Sequence, residues 1–131
     1  MLFRSRDVVG GADVLKVAAD HVDAMLGLKV GSGAEIAKIL SGTASFTGVV
    51  NSGAVSTAIS VTVTGAAPGN KNLVIGSIDL PAGGYGSGYE QVVVEGVVSA
   101  ADTVKLFVRN SSGQNVSWTG ATVRALVIQM A

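Results

Sequence analysis

Apolar and polar residues alternate along most of the chain after residue 43, and this alternation predicts β-strands. The clearest segment is Val55–Thr64, where aliphatic residues take most odd positions and serine or threonine most even ones. A period of two gives a strand one buried and one wetter face, which is typical of antiparallel sheets. The pattern therefore predicts an antiparallel β domain.

Turns rich in Gly, Asn, Ser and Asp divide this domain into short pieces at regular spacing, which is typical of a β-sandwich or jelly roll. We therefore predict a mainly β fold of that class, with residues 41–131 as a β-sandwich domain and residues 1–40 as an N-terminal arm. The predicted strands are Thr43–Val50, Val55–Thr64, Asn72–Ile78, Tyr89–Val98, Thr103–Arg109, Val116–Trp118 and Ala121–Met130.

Residues 13–26 show helical spacing instead. Apolar residues that recur every three to four positions form one stripe: Val14, Ala18, Val22 and Met25. A helix of about four turns is not stable alone in water, so this stripe must dock on the domain, on a neighbouring copy or on a host structure. The sequence thus predicts a short helical arm that makes attachment or oligomer contacts.

The last predicted strand, Ala121–Met130, is apolar on both faces. Such a strand is either central in its sheet or part of a subunit interface. We favour an interface in part, which makes Leu126, Ile128 and Met130 further candidates for oligomer contacts.

Charge is sparse and unevenly distributed. Charged residues make up 14% of the chain, against about 25% in ordinary soluble domains, and the formal net charge is zero. Ten of them lie in residues 1–40 and only eight in the remaining 91. A free monomer of this composition is poorly protected against self-association, so we expect copies of the chain or a larger assembly to cover its surface.

The same composition argues against several partners. The nine Lys and Arg residues are scattered singly and balanced by nine acids, so no nucleic-acid surface is expected. The apolar runs are too short to span a bilayer, and the N-terminal charges are not followed by the apolar core of a signal peptide. With no cysteine, the chain has neither disulfides nor thiolate metal sites.

Residue types suited to catalysis do not form a recognisable set. His21 is the only histidine, and neither neighbouring acid shares its face of the predicted helix. The glycine-rich loop Gly83–Gly88 leads into a strand, not into the helix N-terminus that a phosphate loop requires. Acids beyond residue 78 are scattered and lack calcium-loop spacing. We predict no enzyme activity, no cofactor and no metal site.

Three aromatic residues are candidates for an exposed binding tip. Tyr85 and Tyr89 lie in or beside the glycine-rich loop, and Trp118 is the only tryptophan. A surface tryptophan can stack on a sugar or anchor an interface, although a partly buried plug in the core is more common.

Four segments resemble small β-rich virion proteins of tailed bacteriophages. They are Gly31-Ser-Gly-Ala-Glu-Ile-Ala-Lys-Ile-Leu-Ser-Gly-Thr-Ala-Ser45, Val61-Thr-Val-Thr-Gly-Ala-Ala-Pro-Gly69, Val97-Val-Ser-Ala-Ala-Asp-Thr-Val104 and Val108-Arg-Asn-Ser-Ser-Gly113. The resemblance covers about residues 31–131. It implies a sandwich that assembles with copies of itself, commonly as a trimer, on the virion surface, and it brings no catalytic residues.

The resemblance leads to a functional expectation. The chain is expected to be a capsid decoration or cement (minor capsid) protein, made in the cytoplasm of the bacterial host. Its expected partners are its own copies, in a trimer as the resemblance implies, and the major capsid protein or another virion protein. The alternative is a tail-fibre or head-fibre module that binds a host receptor or glycan; an enzyme is the weakest of the three classes.

Overall fold

The structure is a computed structural model that describes residues 15–17, 22–24, 32–69, 71–80 and 88–131. This part of the chain is mainly β and contains one short 3-10 helix, Tyr89–Gln91, and no α-helix. The strands are β1 (Leu15–Val17), β2 (Val22–Ala24), β3 (Ile36–Val50), β4 (Ile59–Thr62), β5 (Asn72–Ile78), β6 (Val92–Ala100), β7 (Thr103–Asn110) and β8 (Val116–Met130).

Six of these strands form two antiparallel sheets of three strands each. The strand order is β3-β8-β5 in one sheet and β4-β7-β6 in the other. The longest pairing joins β3 to β8, with Ile39 opposite Ile128 and Val50 opposite Val116. The two halves of this ladder lie about 80 residues apart in sequence, so the first sheet closes only when the end of the chain inserts between β3 and β5.

The strand boundaries agree with the sequence pattern at β5 and β7 and differ elsewhere. Of the predicted strand Val55–Thr64 only Ile59–Thr62 is a strand, and Val55 makes an isolated bridge to Arg109. The predicted strand Tyr89–Val98 begins at Val92, because Tyr89–Gln91 forms a 3-10 helix after the glycine-rich loop.

Strand β5 has the predicted limits. Strand β3 begins at Ile36, so residues 36–40 of the predicted arm belong to the sheet. The two strands predicted after residue 115 form one 15-residue strand, β8. Its apparent break is a bulge, where two residues of β8 oppose one of β3.

The bulge in β8 contains Gly120, whose φ of 63° lies in the left-handed region that glycine tolerates best. The Gly120 N–H, which lies outside the regular ladder, donates a hydrogen bond to Thr47 Oγ1 at 2.8 Å. The glycine at residue 120 therefore marks a bulge inside a strand, not the end of one.

The helix predicted for residues 13–26 is wrong where the structure describes that segment. Leu15–Val17 and Val22–Ala24 are β-strands that pair antiparallel, with Leu15 opposite Ala24. The apolar residues here include valines, which favour strands, and so short a helix has little stability of its own. The helical spacing was therefore not enough to determine the local structure.

The two sheets share one apolar core made largely of valine. Val74 and Ile78 of β5 are partly buried and pack against this core. The buried side chains come from the other five strands and from the segment after β4: Val50, Ile59, Val61, Val63, Ala66, Val98, Val104, Leu106, Val108, Val116, Trp118, Val123, Ala125 and Val127. Glycines allow a close approach between β5 and β6. A Cβ atom at Gly76 would lie 2.6 Å from Val94 Cγ1, and one at Gly96 would lie 2.7 Å from Val74 Cγ1.

One buried polar side chain organises the turn before β8. Asn110 is fully buried, and its amide nitrogen donates to the carbonyl oxygens of Val50 at 2.8 Å and Gln114 at 2.7 Å. Its amide oxygen accepts hydrogen bonds from the backbone N–H and the hydroxyl of Ser112, at 2.9 and 2.7 Å. All four hydrogen-bonding positions of the amide are used, so Asn110 joins the ends of β3 and β7 to the turn that leads into β8.

Candidate assembly surface

The outer side of the β3-β8-β5 sheet carries a contiguous group of aliphatic side chains. The register aligns Ile39, Ile128 and Leu73 in one row across the three strands. The next row contains Leu126 and Ile75, with Ser41 on β3. We call these five aliphatic residues the apolar face; they are Ile39, Leu73, Ile75, Leu126 and Ile128.

The side chains on the two flanking strands are strongly exposed. Ile39 is 57% exposed, Leu73 54% and Ile75 49%. Leu126 and Ile128, on the central strand, are partly shielded by their neighbours on both sides. Single exposed aliphatic residues are common on protein surfaces, but a cluster that spans three adjacent strands is typical of a contact surface.

Polar residues border the apolar face at the next row of the sheet. Arg124 lies there between Thr43 and Ser77, and it forms a salt bridge with Asp79. The hydrogen bond from Arg124 holds the pKa of the Asp79 carboxyl below its ordinary value. The apolar face therefore ends at this salt bridge. Because the pair is neutral overall, it gives that edge of the face no net charge.

A shallow groove runs over this border. It has a volume of about 320 Å³, and Ser41 and Thr43 of β3, Ile75 and Ser77 of β5, and Leu126 of β8 contribute to its lining. The groove joins aliphatic and hydroxyl-bearing side chains on one surface. Its shape and composition suit contact with another protein surface better than enclosure of a small molecule.

The outer side of the β4-β7-β6 sheet differs in chemistry. Val93 and Val97 are about half exposed there, but Glu95 lies between them on the same strand. Glu95 accepts a hydrogen bond from Arg109 at 3.2 Å, and Lys105 lies opposite Val97. Charged side chains thus separate the exposed valines of this sheet. The aliphatic side chains of the apolar face, in contrast, lie side by side.

Three residues predicted as oligomer contacts lie on or beside the apolar face. Leu126 and Ile128 are two of its members, and Met130 lies opposite Ile36 at its end. Ile39, Leu73 and Ile75 were missed by sequence reasoning. Each has an apolar neighbour in the sequence, Leu40 or Val74, so the pattern alone did not mark it as an outward position. Only the register shows that the three residues adjoin Leu126 and Ile128.

The other predicted contacts fall in the N-terminal segment. Val22 begins β2. Val14, Ala18 and Met25 lie outside the described residues, as does His21. The proposal that this segment is an attachment arm stays a prediction.

The predicted aromatic tip is not an exposed cluster. Trp118 is only 2% exposed and packs in the core, with ring centroids 5.9 Å from Phe46 and 5.3 Å from Tyr89. Tyr89 is partly buried, and its hydroxyl donates to the carbonyl oxygen of Ser117 at 2.7 Å. Trp118 is therefore a plug in the core, which was the more common alternative, and not part of an exposed tip, because β8 continues through residue 118 and directs its side chain inward. Tyr85 lies outside the described residues.

The acids beyond residue 78 have separate structural contacts. Asp79 and Glu95 form the two salt bridges described above. Asp102, in the turn between β6 and β7, accepts a hydrogen bond from the Gly65 N–H at 2.6 Å. Glu90 accepts one from the Gly88 N–H at 3.2 Å. Within the described part of the chain, no group of three or more His, Cys, Asp or Glu residues is arranged to hold a metal ion.

Two further features bear on candidate partners. Residues 81–87, which include most of the glycine-rich loop, lie outside the described residues. None of the helical residues described here forms a segment long and apolar enough to cross a membrane.

Comparison of the chain with protein-family models, curated proteins and solved structures found no match. The candidate surface therefore stands on its own geometry.

Proposed function

We propose that this chain is a structural protein of a bacteriophage virion, and that it decorates the capsid as a homo-oligomer. In this proposal its two sheets are the layers of a β-sandwich, and residues 1–35 attach it to the major capsid protein or to another virion protein. The trimeric state is taken from the resemblance to small phage virion proteins. The site of action is the outer surface of the capsid.

The apolar face is the observation that carries the proposal. Ile39, Leu73 and Ile75 place large aliphatic side chains in solvent on a paired sheet, where their burial against another surface would be favourable. The acids beyond residue 78, in contrast, form ion pairs or turn contacts and do not converge in a pocket. These features support a protein that makes contacts, and the sequence resemblance is the reason for proposing that it does so in a virion.

Imaging of purified phage particles tests the proposed location. Antibody raised against the chain, used with gold labelling, should mark the heads of particles that encode it. Label on tail tips would support the fibre alternative instead. If the chain is present in the host lysate but the particles carry no label, both roles would be contradicted. Particles stripped of the chain serve as the matched control for antibody specificity.

The fibre alternative has less support from the described residues. A receptor-binding tip needs accessible aromatic or polar groups, yet Trp118 is buried and the Tyr89 hydroxyl is engaged by Ser117. Of the three aromatic residues that suggested this role, only Tyr85 is not placed by the structure.

A further inference from the structure

We infer that the occupant of the apolar face is a second copy of this chain, whose own apolar face packs against it. A patch that packs against the same patch of its copy makes a two-fold contact, so this surface joins the chains in pairs, and a trimer would need a different contact. This inference rests on the proposed function, since it names the surface through which a self-assembling subunit would contact its copies. The central contacts are then made by Leu126 and Ile128. Both lie on β8, the middle strand of the sheet, with Ile39 on one side and Leu73 and Ile75 on the other.

The size of the sheet surface is appropriate for such a contact. With strands about 4.8 Å apart and residues about 3.3 Å apart, the three-stranded part covers about 14 by 23 Å. The ladder of β3 with β8 continues beyond it for the rest of the 15-residue strand. Together these regions have a projected area on the order of 600 Å². Because the side chains make the surface uneven, its accessible area is larger and approaches the roughly 800 Å² per partner of a standard interface.

The charge of the surface also favours a copy of the same chain. Residues of one sign would repel their own copies, but the charged groups at the border, Arg124 and Asp79, neutralise each other. Lys71, at the other end of β5, donates to the carbonyl oxygen of Ala131 at 2.8 Å and lies beside the aliphatic rows, not within them. A surface with so little net charge gives little electrostatic attraction to nucleic acid or to anionic lipid, whereas aliphatic rows complement other aliphatic rows.

The chemistry of the two outer faces identifies a matched control. Val97 is 51% exposed, close to the 54% of Leu73, but it lies on β6 opposite Lys105 in the charged sheet. Leu73 lies on β5 opposite Ile128 in the apolar face. The same substitution can therefore be made at two positions of similar exposure, one in each sheet, and only the one at Leu73 changes the apolar face.

The first experiment measures self-association of the full chain by light scattering and sedimentation. Leu73→Glu should weaken self-association by about tenfold or more, since a carboxylate buried against aliphatic side chains is costly to desolvate. Val97→Glu should leave the oligomer unchanged. Circular dichroism of both variants establishes that they are folded, and Leu73→Ala, which removes contact area without adding charge, should give an intermediate effect.

The second experiment uses the absence of cysteine from the natural chain, so that each introduced thiol is unique. Leu126→Cys should be joined to its equivalent by a short bis-maleimide and give a covalent dimer, while Val97→Cys should stay monomeric under denaturing conditions. Cross-linking of Val97→Cys alone would overturn the inference. It would assign the contact to the other sheet while leaving self-assembly intact.

Three outcomes separate the inference from the proposed function. An oligomeric Leu73→Glu variant that no longer binds particles would mean that another virion protein occupies the face, which overturns the inference and supports the virion role. A monomeric wild-type chain that still labels capsids would also overturn the inference alone. A wild-type oligomer that depends on the apolar face but is absent from particles would leave the inference standing and remove the proposed function.

Discussion

Gly42 of β3 lies directly against the backbone carbonyl of Thr62 in β4, so closely that a Cβ atom at residue 42 would overlap the carbonyl oxygen. These two strands belong to different sheets and have no ladder between them. The contact therefore sets how closely the sheets approach at this edge, and only a residue without a side chain permits it.

Substitution of Gly42 by alanine should destabilise the fold by about 2 to 3 kcal/mol, because the obstruction is backbone and cannot rotate away. The measurement is the free energy of unfolding in urea. Gly113→Ala is the control, since nothing lies within 4 Å of a Cβ atom at that position. Equal stability of the two variants would mean that β3 and β4 do not pack as described.

Loss of the Asn110 amide should be similarly harmful. Asn110→Ala removes four hydrogen bonds and leaves the Val50 and Gln114 carbonyl oxygens without this donor, so a loss of about 3 kcal/mol is expected. Ser111→Ala, at an exposed position in the same turn, should change the unfolding free energy by less than about 0.5 kcal/mol. A neutral Asn110→Ala variant would show that the turn holds without its buried amide.

Substitutions at Trp118 and Tyr89 should lower the stability of the fold, since both side chains pack in or against the core. Trp118→Ala should cost about 3 to 5 kcal/mol, because it leaves a cavity beside Phe46 and Tyr89. Tyr89→Phe keeps the ring contact and loses only the hydrogen bond to Ser117, so a change of about 1 kcal/mol is expected. Thermal unfolding distinguishes the two. A Trp118→Ala variant as stable as the wild type would show that Trp118 is not buried in the core.

The Asp79–Arg124 pair should add a small dependence of stability on acid pH. Since the folded-state pKa of Asp79 is lower than its ordinary 3.8, the contribution is present above pH 3.8 and is lost as pH falls through the folded-state value. Wild-type protein should therefore lose more stability than Asp79→Asn when the urea midpoint is followed downward from about pH 5. Both groups are solvent-exposed, so the effect is modest.

A double variant checks that this dependence comes from the pair. Asp79→Asn combined with Arg124→Gln should show the same acid profile as Asp79→Asn alone, because the carboxyl that titrates is absent from both. A wild-type profile that coincides with that of Asp79→Asn would mean that the salt bridge contributes nothing to folding.

The N-terminal segment should be dispensable for folding and required for attachment. Deletion of residues 1–31 leaves β3 and every other strand of the two sheets complete, so circular dichroism should still show a folded β protein. The truncated chain should no longer be incorporated into particles in a phage complementation assay. Full occupancy on particles would show that attachment uses the β domain instead.

The sequence by itself determined where most strands and turns lie. Period-two alternation located β5 and β7 closely, and the polar run after Asn110 marked the turn before β8. The two-sided apolar character of residues 121–130 agrees with the central position of β8 in its sheet, which was one of the two predicted alternatives. These features are local, because side-chain alternation and turn chemistry act over a few residues.

The tertiary structure decided which strands pair, and therefore which side chains lie next to one another on the surface. Gly120 is a bulge and not a strand end because β3 supplies Thr47 opposite it, and Trp118 is buried because β8 runs through it. The hydroxyl and aliphatic positions of β3 join a continuous outer face only when β8, from the far end of the chain, aligns Ile39 with Ile128. Such long-range register depends on the packing of the whole core, which no local pattern contains.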